Sequence, residues 1–294
     1  MKNQRTLNGL VLSIGVLALI AAAAGLFWPS GGQPYEFHTL WNETVTINGR
    51  GLYSYDSLSY AAQAQAQDVI TLVIALPLLW VSARFAFRGS LRGQLLLAGT
   101  IGYFLYTYMM MVFSMAFNPL FLIYVALFTL SLFAFILCLM SFDIARLPQH
   151  FSPRLPRRGI AVQFFAMGSF LLLAWLGRIL PALLYNQPPE DLENTTTLVV
   201  QGMDLGIIVP LTFFSAVLLL KRSPWGYLLV SVAQLKFLSY SIAVSAMALG
   251  QILAGIETSP VETAVFPAIT LVNLVMSIWL LQNVDARVPA RLTA

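Results

Sequence analysis

Charge and cysteine are what this chain has least of. Only 10% of its 294 residues are Asp, Glu, Lys or Arg, while 59% are hydrophobic. A soluble domain carries about 25% charged and about 45–50% apolar residues. A water-soluble core of this size cannot hide the excess, so the solvent must be lipid. The single cysteine, Cys138, lies in an apolar run. It excludes an intrachain disulfide and any zinc or redox site built from paired cysteines. The two histidines, His38 and His150, both fall outside the apolar runs. That excludes bis-histidine haem ligation and a histidine-held zinc within the membrane. HExxH, Walker, Gly-x-Ser-x-Gly and CxxC motifs are missing as well. No cofactor and no metal are expected. Lys236 and Ser239 have the spacing of a serine–lysine dyad, but no convincing nucleophile–base set accompanies them. This argues against an enzyme acting on lipid.

A helix needs about 20 mostly apolar residues to cross a bilayer. Eight segments qualify: Leu7–Trp28, Asp68–Phe87, Leu95–Phe117, Pro119–Phe142, Ile160–Tyr185, Leu198–Leu220, Tyr227–Gly250 and Thr263–Gln282. The fold class is therefore an all-α polytopic membrane protein of eight transmembrane helices, a single domain over residues 1–294. Span one also has the basic start and small residues (Ala21–Ala24) of a signal peptide, but its apolar run is longer than a usual signal core.

The basic residues assign the topology. Lys2, Arg5, Arg84, Arg88, Arg92, Arg146, Arg154, Arg157, Arg158, Lys221, Arg222, Arg287 and Arg291 all flank one side, 13 of the 16 Lys and Arg. Nine of the twelve acids lie toward the other side. The pI near 9.3 thus reports topology and not a nucleic-acid partner. Basic residues stay cytoplasmic, so both termini are expected in the cytoplasm, with a bacterial inner membrane as the favoured setting.

A weak internal repeat runs through the chain. Pro77–Leu105 aligns without gaps on Pro210–Leu238, 133 residues on, with ten identities in 29 positions. They include Pro77/Pro210, Ser82/Ser215, Ser90/Ser223 and Gly93/Gly226, and Arg88 falls on Lys221. The alternative is two helical hairpins under one membrane constraint. As a duplication it predicts two parallel four-helix halves, about 1–145 and 146–294, joined by the inner linker Asp143–Gly159, which reads as a surface segment. Substrate sites often lie where such halves meet.

Residues 29–67 form the one long outer segment, the expected surface for a protein partner. Alternation in Thr44–Ile47 and Leu52–Tyr55 around Asn48-Gly49 predicts a small β-hairpin, with an irregular cap as the alternative. Tyr60–Gln67 reads as an extension of span two out of the membrane, capped at Asp56 or Ser57.

Three ionisable groups fall well inside spans, where they are costly and usually face protein or water. Arg178 and Asp204 lie at similar outer depths on consecutive spans and are expected to form an ion pair. Lys236 is deep in span seven. Polar residues on both sides of that helix place it at the bundle centre. The candidate cavity is lined by Tyr103, Tyr106, Gln234, Lys236, Ser239 and Asn273, with Gln163 as a contributor. The alternative is a core in which these groups bond one another. A cationic lysine there suits a small anion or carboxylate. The expected function is small-molecule transport or solute binding. The alternatives are a non-transporting sensor, scaffold or complex subunit, and an intramembrane enzyme.

Overall fold

The computed structural model describes residues 4–190 and 192–285, without the side chains of Val261 and Glu262. Lys2, Asp191, Arg287 and Arg291 lie outside the described residues, as does the Glu262 side chain. Among the described residues eight helices are long and apolar enough to cross a membrane: α1 Gln4–Phe27, α2 Leu58–Phe87, α3 Leu91–Phe113, α4 Phe121–Met140, α5 Arg157–Tyr185, α6 Val199–Leu220, α7 Pro224–Leu253 and α8 Thr263–Gln282. The chain is a multi-pass helical membrane protein.

Helices α3 and α7 are the most buried, and α5 and α8 the least. α3 packs on α2, α4 and α7, and α7 on α2, α3, α6 and α8. Polar residues around all of α7 had placed it at the centre, and α3 shares that place because its glycines admit α7. A Cβ on Gly99 would lie 2.6 Å from Leu235 Cβ and 3.2 Å from the Lys236 amide nitrogen. The backbones meet too closely there for any side chain on residue 99.

Among the described residues three π turns occur, at Thr71–Ala75 in α2, Asp204–Ile208 in α6 and Val261–Val265 across the start of α8. Each turn ends two residues before a proline: Pro77, Pro210 and Pro267. Proline lacks an N–H and its ring clashes with the carbonyl four residues back, so the preceding turn loosens. Because α8 shows the same device, its recurrence in α2 and α6 reflects proline and carries no weight for duplication.

One face gathers the basic hairpins. Gln4 Nε2 donates to Phe87 O at 3.2 Å, Arg92 Nε to Val284 O at 2.7 Å, and the Ser152 amide to Asn283 O at 2.8 Å. The linker Asp143–Gly159 is docked and does not lie loose on the surface. Leu147, Phe151 and Leu155 are buried, and the Phe151 ring meets Tyr227 at 5.0 Å between centroids. Apolar residues at those three positions need cover that a solvated linker cannot give.

On the opposite face the hairpin forms, but not where the alternation placed it. Strand β1, Tyr35–His38, pairs antiparallel with β2, Thr44–Ile47. Its turn is built at Thr39, whose Oγ1 accepts from the amides of Trp41 and Glu43, with Asn42 in the left-handed region. Asn48 instead closes a coil, donating from Nδ2 to Arg50 O and Tyr53 O. Leu52 and Tyr53 are buried and pack down on the bundle. Tyr60–Gln67 extends span two as a helix from Leu58, capped at Ser57 as expected, but it packs against the bundle. Ala61, Ala62, Ala64 and Gln67 are buried, and Ala62 and Ala66 meet Gly250 of α7. The Ser57 hydroxyl caps α2 by accepting from the Tyr60 amide at 3.1 Å.

Three connections on the hairpin face are tied together beside that cap. The Ala116 amide donates to Asp56 Oδ1 at 2.7 Å, the Ser57 hydroxyl donates to Glu193 Oε2, and Asn194 Nδ2 donates to Tyr55 O at 2.9 Å. Burial pushes the Asp56 carboxyl up to about 7, opposed by the Ala116 amide and reinforced by Glu193. Folding therefore favours the protonated acid. The stabilisation is present below the ordinary value near 4 and is lost as pH rises through about 7. In sodium-free choline buffer, the detergent-solubilised protein should lose about 3 °C of apparent Tm between pH 5 and pH 8. Asp56→Asn should flatten that slope, measured by intrinsic fluorescence on heating.

Candidate functional site

The close approach at Gly99 sets Lys236 against α3. A Cβ on Gly102 would be at ordinary contact, 3.6 Å, with Lys236 Cγ, so the lysine stem lies along the small-residue face of α3. Its ammonium sits over the Tyr106 ring at 3.9 Å and over the Tyr240 ring at 4.3 Å. The two tyrosines meet edge to face at 4.7 Å. Aromatic faces attract a cation, and the attraction grows when water is excluded.

Asp204 opens the π turn of α6 and is buried. Tyr106 Oη donates to its Oδ1 at 2.6 Å, and Trp175 Nε1 of α5 donates to its Oδ2 at 3.0 Å. Asp204 is also the opposite charge acting on Lys236. The two do not touch: no Lys236 nitrogen lies within 4.0 Å of an Asp204 carboxylate oxygen. Tyr106 stands between them, with its ring face toward the ammonium and its hydroxyl on the carboxylate. Four helices thus converge on one buried cation and one buried anion joined through a tyrosine.

The expected Arg178–Asp204 pair is not formed. Arg178 reaches toward the surface on the hairpin face, where its Nε donates to Glu190 O at 2.7 Å. Similar depth on neighbouring helices did not bring the groups together, because depth leaves rotation about the helix axis open. A long guanidinium near a helix end also extends toward the polar side.

The residues expected to line one cavity fall into three separate clusters, with Ser239 apart from all of them. Tyr106 and Lys236 form the centre just described. Tyr103 faces α2: its hydroxyl accepts from Gln67 Nε2 and lies 3.3 Å from Thr71 Oγ1, and the Gln67 amide also donates to Thr107 at 3.1 Å. Gln234 faces α8 and donates to Asn273 Oδ1 at 3.3 Å. Gln163 of α5 donates to the same oxygen at 2.8 Å, and Asn273 donates on to Ser241 at 3.3 Å. Ser239 bonds its own helix, donating to Leu235 O at 3.3 Å. The clusters are separate because α3 and α7 use different faces for different neighbours.

Sequence reasoning missed Trp175, Gln67 and a second buried carboxylate. Asp68 is buried, and Tyr53 of the outer coil donates to its Oδ2 at 2.6 Å. Gly25 of α1 closes the other side; a Cβ there would lie 1.8 Å from that oxygen. Asp68 had been read as an outer-boundary acid. Five polar or charged residues after Tyr60 (Gln63, Gln65, Gln67, Asp68 and Thr71) mask a face that is partly interior. Half-open cavities lie toward the hairpin face of the bundle. One of about 470 Å³ runs between α2 and α7, and one of about 210 Å³ lies between the outer ends of α3 and α6. Neither includes Lys236.

The fold and this buried centre define an eight-helix integral membrane protein in which one tyrosine meets a buried lysine through its ring and a buried carboxylate through its hydroxyl. No protein-family profile matches the chain, and no curated protein and no solved structure matches it either.

Proposed function

We propose that the protein is a proton-coupled carrier of a small carboxylate, with Lys236, Tyr106 and Asp204 as the site. The observation that carries this reading is the bridged geometry. Lys236 is the cation a carboxylate needs, and Asp204 already balances its charge without touching it. An incoming carboxylate restores neutrality only if Asp204 takes up a proton as the substrate binds. Charge on the site is then conserved, and one proton moves with each anion. The Pro210 π turn, which opens at Asp204, gives α6 a loosened backbone at the site, as broken helices do in carriers. Two parallel halves, cytoplasmic termini and a bacterial inner membrane complete the proposal. The duplication is supported by matching hairpins: Ser90 N to Phe85 O at 3.1 Å recurs as Ser223 N to Leu218 O at 2.9 Å.

The test is uptake of a panel of radiolabelled mono- and dicarboxylates into proteoliposomes under an inward proton gradient. At least one should accumulate about tenfold over protein-free vesicles, a difference of about 1.4 kcal/mol in driving terms. The paired variant Lys236→Gln with Asp204→Asn should abolish accumulation while keeping the wild-type melting profile. No accumulation across the panel would refute the reading.

A second reading, a non-transporting sensor or complex subunit, is favoured by the outer hairpin. Tyr35, Phe37, Leu40 and Trp41 are exposed there, Leu40 at 88%. It expects a stoichiometric partner that co-purifies and is lost on deleting residues 35–47.

A further inference from the structure

Asp56 holds a buried oxygen without a donor. The residue is 3% exposed; its Oδ1 accepts from the Ala116 amide, and its Oδ2 has no hydrogen-bond partner. Asp56 also lines the cavity of about 210 Å³ at the outer end of the bundle, which holds several water-sized volumes. Ser114, Asn194, Thr195 and Thr197 line the same space. The Asn194 amide nitrogen is committed to Tyr55 O, which leaves its oxygen as an acceptor. No histidine, cysteine, lysine or arginine lines this cavity.

We propose that this outer cavity is a binding site for a hard monovalent cation, Na⁺, held by the Asp56 carboxylate and the hydroxyl and carbonyl oxygens around it. Phe113, Met115, Ala116 and Val199 complete the lining, and its carboxylate, hydroxyl and amide oxygens are hard donors that favour alkali or alkaline-earth ions. The charge count then selects between those two. One carboxylate lines the cavity, and among the described residues no group of three His, Cys, Asp or Glu exists to hold a divalent ion. The ion has a structural task ready for it, because Asp56, the turn after α3 and the loop before α6 meet at this point and nowhere does a described lining residue supply a positive charge. Glu193, bonded to Ser57, adds negative potential beside it, and Arg178 of α5, Tyr60 of α2 and Tyr124 of α4 are further titratable groups that face this region. Protons compete with the ion, so occupancy falls as pH drops below about 7, where burial has set the Asp56 carboxyl. The site is separate from the Lys236 centre, and the proposal stands whether or not the protein transports a carboxylate.

The experiment is thermal unfolding of the full chain in detergent at pH 8, with NaCl exchanged for choline chloride at constant ionic strength, and with KCl and CaCl₂ as parallel arms. Saturating Na⁺ should raise the apparent Tm by about 3 °C or more over choline. Asp56→Asn should abolish the shift. Ser114→Ala, which keeps the charge, should raise the Na⁺ concentration at half-effect several-fold and serves where Asp56→Asn does not fold. Equal melting in choline and Na⁺, a shift produced by Ca²⁺ alone, or an undiminished Na⁺ shift in both variants would overturn the proposal. Because the readout is melting and not uptake, its failure is distinguishable from failure of the carrier reading.

Discussion

Asp204→Ala is expected to destabilise the protein by about 3–5 kcal/mol, and Lys236→Met by a similar amount, because each leaves one uncompensated charge in the bundle interior. The two residues are buried, and each is the other's opposing charge. Losing Asp204 also strips Tyr106 Oη and Trp175 Nε1 of their acceptor. A buried donor left without a partner costs about 1–3 kcal/mol more. Removing both charges at once behaves differently. Lys236→Met with Asp204→Asn keeps an oxygen for Tyr106 and removes the need to hold two ions away from water. It should recover most of the loss, since replacing a buried pair whole is often neutral or stabilising. Thermal unfolding of the two single variants and the double variant in one detergent measures the coupling directly. Additive losses would show that the charges do not communicate through Tyr106.

This arrangement was only half legible in the sequence. Lys236 could be assigned to the interior because serines, Gln234 and Tyr240 surround it on the helix, and a helix polar all round must be enclosed. Tyr106 could be grouped with it as one expected lining residue, but nothing in the sequence separated it from Tyr103, which faces α2. Asp204 could be recognised as costly, but its partner could not be chosen. Residue counts give depth at about 1.5 Å per residue, and Arg178 and Asp204 agreed in depth. Rotation and tilt decide contact, and those depend on packing that Gly99 sets from another helix. The eight spans were legible for the opposite reason: length and hydropathy are local properties. The outer segment shows the same divide. Thr44–Ile47 was recognised as a strand by alternation, but its partner Tyr35–His38 was not, because the turn between them is made by side-chain bonds at Thr39 and by Asn42 and not by an Asn-Gly pair. Gln67 and Asp68 were read as polar and therefore outer. Their partners, Tyr103 and Tyr53, come from elements distant in the chain.

Gly226→Ala is expected to be among the most damaging single-methyl changes in the molecule. Helix α7 starts directly after the tight basic turn from α6, and Gly226 lies flat against the end of the preceding helix. An added Cβ would stand 2.3 Å from the Leu219 amide nitrogen, 2.4 Å from Leu218 C and 2.6 Å from Leu218 O. These are backbone atoms within a hydrogen-bonded turn. The Arg222 amide donates to Leu219 O at 3.0 Å, and Arg222 is itself held at φ 56°. Neither side can yield without opening the hairpin that carries Lys236 into the bundle. The methyl should therefore cost about 3 kcal/mol or more, at the upper end of overpacking effects. Gly93 stands in the corresponding hairpin of α2 and α3, with a Cβ only 2.6 Å from the Ala86 amide nitrogen, and should respond in the same way. Gly177 in α5 is the control. Nothing lies within 4 Å of its Cβ position, and alanine there removes a poor helix former, so Gly177→Ala should hold or raise stability by up to about 1 kcal/mol. Melting curves of the three variants in one detergent decide the matter. If Gly226→Ala melts with Gly177→Ala at the wild-type temperature, the hairpin does not close as tightly as these distances require, and the placement of Lys236 against Tyr106 loses its support.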